Sequence, residues 1–403
     1  MIRKVARFFA FFYCLAAIGI NVTAEGVLGS MVRVLGVPTL FLWLVSLFEK
    51  GSFRRWTSFN VAFLFFLLVQ IVSRVWTIDI NGTNYIIWRY SLIFGLTLIV
   101  YDIFSDSLRS ADLGLEAAVF GSLTAALWTI YNWKTGNVYF DKSRYAATGL
   151  HPNSTAFIVS IGIPVAADLW RRKALNPFFR TVNGLYIPIA LLALVLTGSR
   201  GGMLAAAPIL LWLFWTVLRS KVGTVALPAL AVAFLIYLPT NPELQNNLDR
   251  ATNIQQAQDD RLSGRTGLWD TAERLFKDSP FIGRGAGSFR YAAGADAVDV
   301  TGYAMGAHNS YLEVSVETGM LGVAALVGSL AMGILAASRL PKGHRTPYVL
   351  ATSIIPMAMF YETFEWYYMP WAYVAVICSY SVAVQAQQVR VVQARIATTA
   401  QPA

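Results

Sequence analysis

The sequence is poor in charged residues, in cysteine and in histidine. Asp, Glu, Lys and Arg make up 13% of its 403 residues, whereas soluble domains carry about 25%. This deficit excludes an ordinary soluble globular architecture. The two cysteines, Cys14 and Cys378, lie in apolar runs and indicate neither a disulfide framework nor a metal cluster. No acidic pair has a metal-binding spacing, so no metal or other cofactor is predicted.

Long apolar runs fill most of the chain instead. Hydrophobic residues account for 56% of it, with a mean hydropathy of +0.53. Runs of about 17–25 such residues predict an all-α, polytopic transmembrane helical bundle. The first run lacks a small-residue cleavage site, so a retained helix is predicted and not a signal peptide. About twelve spans are predicted, near residues 5–21, 31–48, 59–76, 84–104, 112–131, 152–170, 183–199, 201–218, 222–238, 315–337, 347–363 and 370–388.

Basic residues are concentrated in alternate connections between these runs. The net charge of +10 would also suit nucleic-acid binding, but clustering in short loops follows the positive-inside rule of membrane proteins. Both termini belong to the basic set, which is therefore predicted to be cytoplasmic. The opposite set is predicted to be external, which is periplasmic in a Gram-negative cell, and it includes the Lys- and Arg-free connections 22–30, 77–83 and 364–369.

One polar segment, 239–307, is too long for an ordinary connection. It contains helical patterning over Thr266–Lys277 and a glycine-rich turn at 283–287. A small, partly helical cap over the bundle is predicted. The chain is thus divided into N-terminal transmembrane helices, a large periplasmic loop, C-terminal transmembrane helices and a mobile cytoplasmic tail, at 1–238, 239–307, 308–388 and 389–403.

His308 stands where this polar segment meets the next apolar run, and it is one of three histidines in the chain. An imidazole at the mouth of a membrane helix is placed to exchange a proton near neutral pH. The alternative is an interfacial histidine that caps the helix. If arginines lie beside it, their charge is expected to lower the pKa of His308 and keep the ring neutral.

Three further polar patches are predicted on the same face, at 144–153, 197–202 and 263–269. Arg200 joins two apolar runs with almost no spacer, and an arginine at membrane depth is costly unless it meets an anion or lines a wet cavity. Arg265 lies near the N-terminus of a predicted helix, where the dipole favours an anion. The structural alternatives are arginines that reach lipid headgroups or solvent.

Two arginines and a histidine suit a diphosphate-linked substrate. Arginine binds phosphate oxygens bidentately, and a departing diphosphate needs its developing charge neutralised. Arg74 and Arg89 lie inside apolar runs, where they either line a glycan or lipid path or form structural pairs. In the segment 360–369, aromatic residues surround two carboxylates, which fits either a sugar platform or an interfacial aromatic belt.

These four patches, in this order, resemble the O-antigen ligase and O-antigen polymerase superfamily. The resemblance rests on 144–153, 197–202, 263–269 with 278–289, and the string from His308 to Gly319; Arg284 departs from it, because an aromatic is common there. It implies a metal-independent, inverting, GT-C-like membrane glycosyltransferase of the inner membrane. It also implies that Arg200 and Arg265 bind the diphosphate of an undecaprenyl-diphosphate-linked glycan, and that His308 activates or positions the acceptor hydroxyl.

Within that resemblance, an O-antigen ligase with lipid A–core as acceptor is favoured. An O-antigen or exopolysaccharide polymerase is the second reading, and a protein-glycosylating transferase the third. A transporter of lipid-linked glycans is the distant alternative, because transporters favour inverted repeats and helices broken at the midplane. Catalytic roles are assigned to His308, Arg200 and Arg265. Substrate binding is predicted for Arg144, Asn153, Ser199, Asn309 and Arg89.

Overall fold

The computed structural model describes residues 1–19, 27–50, 55–139, 144–172, 175–219, 238–252, 265–297 and 305–399. Within these ranges all regular elements are helical. The α-helices are α1 (Ile2–Gly19), α2 (Val27–Lys50), α3 (Ser58–Val72), α4 (Ile80–Phe104), α5 (Leu108–Lys134), α6 (Pro152–Arg171), α7 (Pro177–Leu196), α8 (Arg200–Leu218), α9 (Pro242–Thr252), α10 (Arg265–Asp278), α11 (Phe289–Ala293), α12 (Ser310–Ser338), α13 (Lys342–Tyr361) and α14 (Tyr368–Thr399).

Nine helices in the described part of the chain are long and apolar enough to cross a membrane. They are α2 to α8, α12 and α14. The prediction of an all-α, multi-pass membrane bundle is therefore confirmed for the described residues. Helices α1 and α13 coincide with the predicted spans 5–21 and 347–363 but are not among these nine. The predicted span 222–238 lies almost wholly outside the described residues, so the total of about twelve stays a prediction.

Helix α6 is the centre of the bundle, since 94% of its most apolar stretch is buried inside the protein. Pro152 occupies its first turn, where a missing amide proton costs nothing. Helices α5, α7, α8 and α13 pack around it. The buried share of the corresponding stretch is only 22% in α8 and 28% in α2. Most of the apolar surface of these two helices therefore faces outwards, as in helices that contact lipid.

The bundle has two chemically different ends. Helices α4, α6, α8, α12 and α14 begin at one of them, which we call the site end. Helices α1, α5, α7 and α13 begin at the other, the far end. The predicted cap lies at the site end, where Leu268, Ala272 and Leu275 of α10 share a small hydrophobic core with Phe289 and Val316. This core attaches the cap to the first turns of α12.

Helix α12 is interrupted at Gly319, whose φ of 65° and ψ of −163° are not helical. The break frees the carbonyls of Val316 and Glu317, which accept hydrogen bonds from the amides of Arg284 (2.9 Å) and Gly285 (2.7 Å). A Cβ atom on Gly319 would lie 2.3 Å from the backbone of Phe281, so only glycine fits. The glycine-rich turn of the cap is thereby locked against the helix that follows His308.

Helix α14 continues beyond residue 388 to Thr399. Residues 389–399, which belong to the predicted tail, are thus helical. The polar side chains there are exposed as far as their burial is described, and propensity suffices to continue a helix that packing has already nucleated. The four-part division of the chain and the cytoplasmic location of its termini stay predictions.

Candidate functional site

Glu362, which is not among the predicted site residues, is the centre of the site. It lies between α13 and α14 and is 5% exposed. Its Oε1 lies 2.7 Å from Nδ1 of His308, and its Oε2 accepts a hydrogen bond of 3.0 Å from the side-chain amide of Asn153. Nδ1 of His151 lies 3.5 Å from the same Oε2. One buried carboxylate thus joins two of the four predicted patches.

Local backbone structure fixes His308 opposite this carboxylate. His308 has a φ of 49°, a conformation that is rare for residues other than glycine and that is concentrated at functional sites. The next residue, Asn309, caps α12 by accepting from the amides of Tyr311 (3.0 Å) and Leu312 (3.2 Å). The chain therefore turns sharply at His308 and enters the helix directly afterwards, so the imidazole projects from the helix mouth.

Two side chains of α12 tie the His308 segment to the Glu362 segment. Ser310 donates to the carbonyl of Glu362 (3.0 Å) and accepts from the amide of Phe364 (2.9 Å). Glu313 accepts from the amide of Ala307 (2.9 Å) and from the hydroxyl of Thr363 (2.8 Å). Four hydrogen bonds thus hold the histidine and the carboxylate in one rigid unit.

Asn153 connects this unit to the first two arginine-containing patches. Its Oδ1 accepts from Nη2 of Arg144 (3.0 Å) and from the hydroxyl of Ser199 (2.8 Å). Nε of Arg144 also donates to the carbonyl of Thr197 at 3.0 Å. Ser199 in turn caps α8, because its oxygen accepts from the amide of Gly202 at 3.1 Å. The N-termini of α6 and α8 are therefore joined beside Glu362.

Two arginines near this unit, Arg144 and Arg265, are buried, and the field of each acts on the ring of His151. Arg265 is the first residue of α10, and burial lowers its pKa against the opposing charge of Glu362. Burial and the charges of Arg250 and Arg265 lower the pKa of Arg144 to about 10. Neither Arg144 nor Arg265 forms an ion pair with a carboxylate of the described chain. Arg200 opens α8 and donates from Nε to the carbonyl of Arg250 at 2.8 Å.

The expected pKa shift of His308 was wrong in sign. The negative charge of Glu362, 2.7 Å away, raises the pKa of His308 and outweighs both burial and the charge of Arg265. Burial alone would raise the pKa of Glu362, but the charge of His308, the hydrogen bond between the two side chains and the charge of Arg265 hold it well below its usual range. Glu362 is therefore ionised, so Nδ1 of His308 carries the proton that bridges them. In the neutral ring, Nε2 is left as an acceptor.

The O-antigen ligase family model matches residues 185–327. The resemblance predicted from the sequence is therefore confirmed over the segment that contains Ser199, Arg200, Arg265, His308 and Asn309. No curated protein matches the chain significantly. The family match supports a membrane enzyme of the O-antigen ligase and polymerase type, with a glycan donor and acceptor as substrates.

The cluster also contains residues on both sides of the matched segment. Arg144 and Asn153 precede it and Glu362 follows it, yet all three are hydrogen-bonded into the same cluster. His151 joins the cluster as well, and its ring centroid lies 6.1 Å from that of His308. No local signal distinguishes Glu362, because the aromatic residues around it are also typical of an interfacial belt.

Among the described residues, Arg89 forms no hydrogen bond to this cluster. Its Nε donates to the carbonyl of Trp366, and its guanidinium lies 4.6 Å from the centroid of that indole and 5.4 Å from the ring of Tyr368. Tyr368 lines a mostly apolar cavity of about 560 Å³. Arg74, the other arginine in an apolar run, is exposed and donates to Asn84 at 2.8 Å. A substrate-binding role for Arg89 stays a prediction.

Proposed function

We propose that the protein is an O-antigen ligase. It transfers a glycan from undecaprenyl diphosphate to a sugar hydroxyl of lipid A–core, at the periplasmic face of the bacterial inner membrane, with inversion and without a metal. The observation that carries this proposal is the His308–Glu362 pair, 2.7 Å apart, near Arg144 and Arg265, which form no ion pair with a described carboxylate. A base and an anion site adjacent to each other suit the attack of a hydroxyl on a diphosphate-activated sugar.

The diphosphate is bound by Arg265 and Arg200. Arg265 lies at a helix N-terminus, where free amides and the helix dipole add to its charge. Arg200 lies at the N-terminus of α8, beside the cap of Ser199. Both side chains can form forked hydrogen bonds to phosphate oxygens. Asn309 and Ser199 occupy cap positions, so their contribution to substrate binding is to shape these helix mouths.

His308 takes the proton of the acceptor hydroxyl. Glu362 accepts Nδ1–H, which directs the lone pair of Nε2 outwards and makes the ring more basic. As the hydroxyl proton moves to Nε2, the oxygen forms its bond to the anomeric carbon. The bond from that carbon to the phosphate oxygen breaks, and the diphosphate leaves with the electron pair. Attack from the side opposite the diphosphate inverts the anomeric centre.

Asn153 and Arg144 act through the cluster. The side-chain nitrogen of Asn153 donates to Glu362, and its oxygen accepts from Arg144 and Ser199, so both ends of the amide are hydrogen-bonded within the protein. Arg144 has two of its donors directed at protein oxygens. Both residues therefore hold the carboxylate and the helix mouths in place, and Arg144 adds positive charge to the substrate-binding region.

A polymerase would use the same donor and the same site residues, so the acceptor decides between the two functions. The glycan of a deletion strain tests this directly. Loss of a ligase leaves long polymer on the lipid carrier and lipid A–core without polymer. Loss of a polymerase leaves single repeats, which would overturn the ligase assignment. A transporter is disfavoured because the polar cluster lies at one end of the bundle and not at its midplane.

The orientation has its own test, since the proposal requires a periplasmic site end. Asn246 is exposed on α9, and the native Cys14 and Cys378 are buried. A cysteine at Asn246 should react with an impermeant thiol reagent in intact spheroplasts, whereas a cysteine at the exposed Gly343 of the far end should react only after permeabilisation. The reverse pattern would contradict the orientation.

A further inference from the structure

His151 is the second imidazole of the cluster, and its tautomer is determined by the helix that it caps. Its Nδ1 accepts a hydrogen bond of 3.1 Å from the backbone amide of Asn153, at the start of α6. A backbone amide only donates, so Nδ1 carries no proton and the proton of the neutral ring is on Nε2. The ring of His308 has the opposite arrangement, because ionised Glu362 accepts from its Nδ1.

The surroundings of His151 keep its ring neutral and leave Nε2 available. The charged and titratable groups around it are Arg144, Arg265, His308, Glu362 and Tyr139. Burial is the largest influence, and together with the charges of the arginines and His308 it lowers the pKa of His151 to about 4, against the charge of Glu362. The helix dipole acts in the same direction. The side chain is 28% exposed, and no described residue accepts a hydrogen bond from Nε2.

We propose that His151 is a catalytic residue that donates a hydrogen bond from Nε2–H to an oxygen of the departing diphosphate. The inference rests on the proposed function. The ring lies 6.1 Å from that of His308, centroid to centroid, and the charges of Arg144 and Arg265 both act on it, so an anion is favoured beside it over a neutral hydroxyl. The two histidines thus have complementary tasks: Nε2 of His308 accepts from the acceptor hydroxyl, and Nε2–H of His151 donates to the leaving group.

The proton of His151 is not transferred in this step. The diphosphate gains charge as its bond to the anomeric carbon breaks, so the hydrogen bond from His151 strengthens in the transition state. A neutral donor has an advantage here, because it needs no proton from solvent and it leaves the cap of α6 intact. Protonation of Nδ1 would break that cap.

Two substitutions of His151 separate its proposed role as a hydrogen-bond donor from its role as the N-cap of α6. Asn is a good N-cap residue, so His151→Asn keeps an oxygen near Nδ1 and removes the group at Nε2. His151→Gln places an amide NH₂ near the position of Nε2 and weakens the cap. We expect His151→Asn to retain the melting temperature and to bind undecaprenyl diphosphate at least tenfold more weakly. His151→Gln should have a lower melting temperature and recover part of the affinity.

Binding of undecaprenyl diphosphate is measured with the full chain in lipid nanodiscs. The tautomers are measured separately, from the ¹⁵N NMR chemical shifts of the three histidines. The expected spectrum has Nε2 protonated in His151 and Nδ1 protonated in His308. Wild-type affinity in His151→Asn, or Nδ1 protonated in His151, would overturn the inference. If Arg265→Ala weakens binding while His151→Asn does not, only the role of His151 fails. If neither weakens it, the diphosphate site of the proposed function fails too.

Discussion

The two ends of the bundle each contain a histidine bonded to a buried carboxylate, and the arginines around the two pairs differ. At the far end, Nδ1 of His344 lies 3.0 Å from Asp168. Asp168 also accepts from Arg172 (2.8 Å) and from the hydroxyl of Tyr348 (2.9 Å). Arg172 reaches a second carboxylate, Asp112, so its charge is matched.

The far-end network therefore has the character of a structural clamp. Its members come from α5, α6 and α13 and the turn after α6, and the guanidinium of Arg172 lies 4.4 Å from the ring centroid of Tyr380 in α14. At the site end, Arg144 and Arg265 have no described carboxylate within ion-pair distance. A histidine–carboxylate pair alone does not indicate catalysis; positive charge left unmatched beside it indicates an anionic substrate.

The largest expected effect is on the chemical step at the site end. His308→Ala should lower the rate of transfer by about 100- to 10,000-fold, because general-base catalysis contributes that much. Binding of undecaprenyl diphosphate should change little, since the arginines hold it. The assay is glycan transfer by the purified protein from a defined lipid-linked donor, measured against pH.

His308→Gln and Glu362→Gln sharpen the assignment of the base. With Glu362 present, the pKa of His308 is raised, so activity should fall as the pH decreases through that raised value. Glu362→Gln removes the charge, so this limb of the profile should move to lower pH. A glutamine at 308 that retains nearly full activity with an unchanged profile would show that His308 only positions the acceptor.

A substitution in the far-end network should lower the stability of the protein and leave its catalytic turnover unchanged. Arg172→Ala leaves Asp168 and Asp112 without their cation, and removal of one partner of a buried ion pair costs about 3–5 kcal/mol. The melting temperature in detergent should fall clearly, while the turnover of the molecules that remain folded should match the wild type. A protein that stays stable but loses turnover would mean that the far end takes part in function.

A substitution of Arg265 should weaken the binding of the diphosphate. Arg265→Ala should weaken the binding of undecaprenyl diphosphate by about 2–5 kcal/mol, which is the cost of removing one partner from a desolvated charge pair. Arg265→Lys should restore only part of the affinity, because lysine lacks the forked geometry of arginine. The control is Arg74→Ala, since Arg74 is exposed and bonded to Asn84 outside the cluster. Equal affinities of the Arg265→Ala and Arg74→Ala variants for undecaprenyl diphosphate would contradict the role of Arg265 in binding the diphosphate.

Hydropathy and the pattern of Lys and Arg were sufficient to predict the membrane bundle and the four polar patches. The clustering of Arg144, Asn153, Ser199 and His308 followed from placing those patches on one face. Glu362 could not be predicted, because its burial depends on how the connection between α13 and α14 folds beneath His308. The wrong sign for the pKa of His308 has the same origin: the arginines were visible in the local sequence, and the carboxylate 54 positions away was not.

The smallest expected effect separates the two site-end histidines by pH. His151 has its pKa lowered to about 4, so between pH 6.5 and 4 the unfolded chain binds a proton that the folded protein does not. The free energy of unfolding should therefore fall with decreasing pH in that window, by about 3 kcal/mol in total at about 1.4 kcal/mol for each pKa unit. His308 has a raised pKa, so its contribution is fully present below pH 6.5 and is lost only as the pH rises through the raised value.

Burial, together with the charge of Glu313, raises the pKa of Glu365 to about 8, so its contribution changes in the opposite direction between pH 8 and 4.5. It is common to the wild type and to His151→Asn, and it cancels in the difference between their unfolding curves. At neutral pH the two proteins should be equally stable, and at pH 4.5 the variant should be the more stable one. Curves that stay parallel through this window would mean that His151 is not held neutral, and the contrast between the two histidines would then be lost.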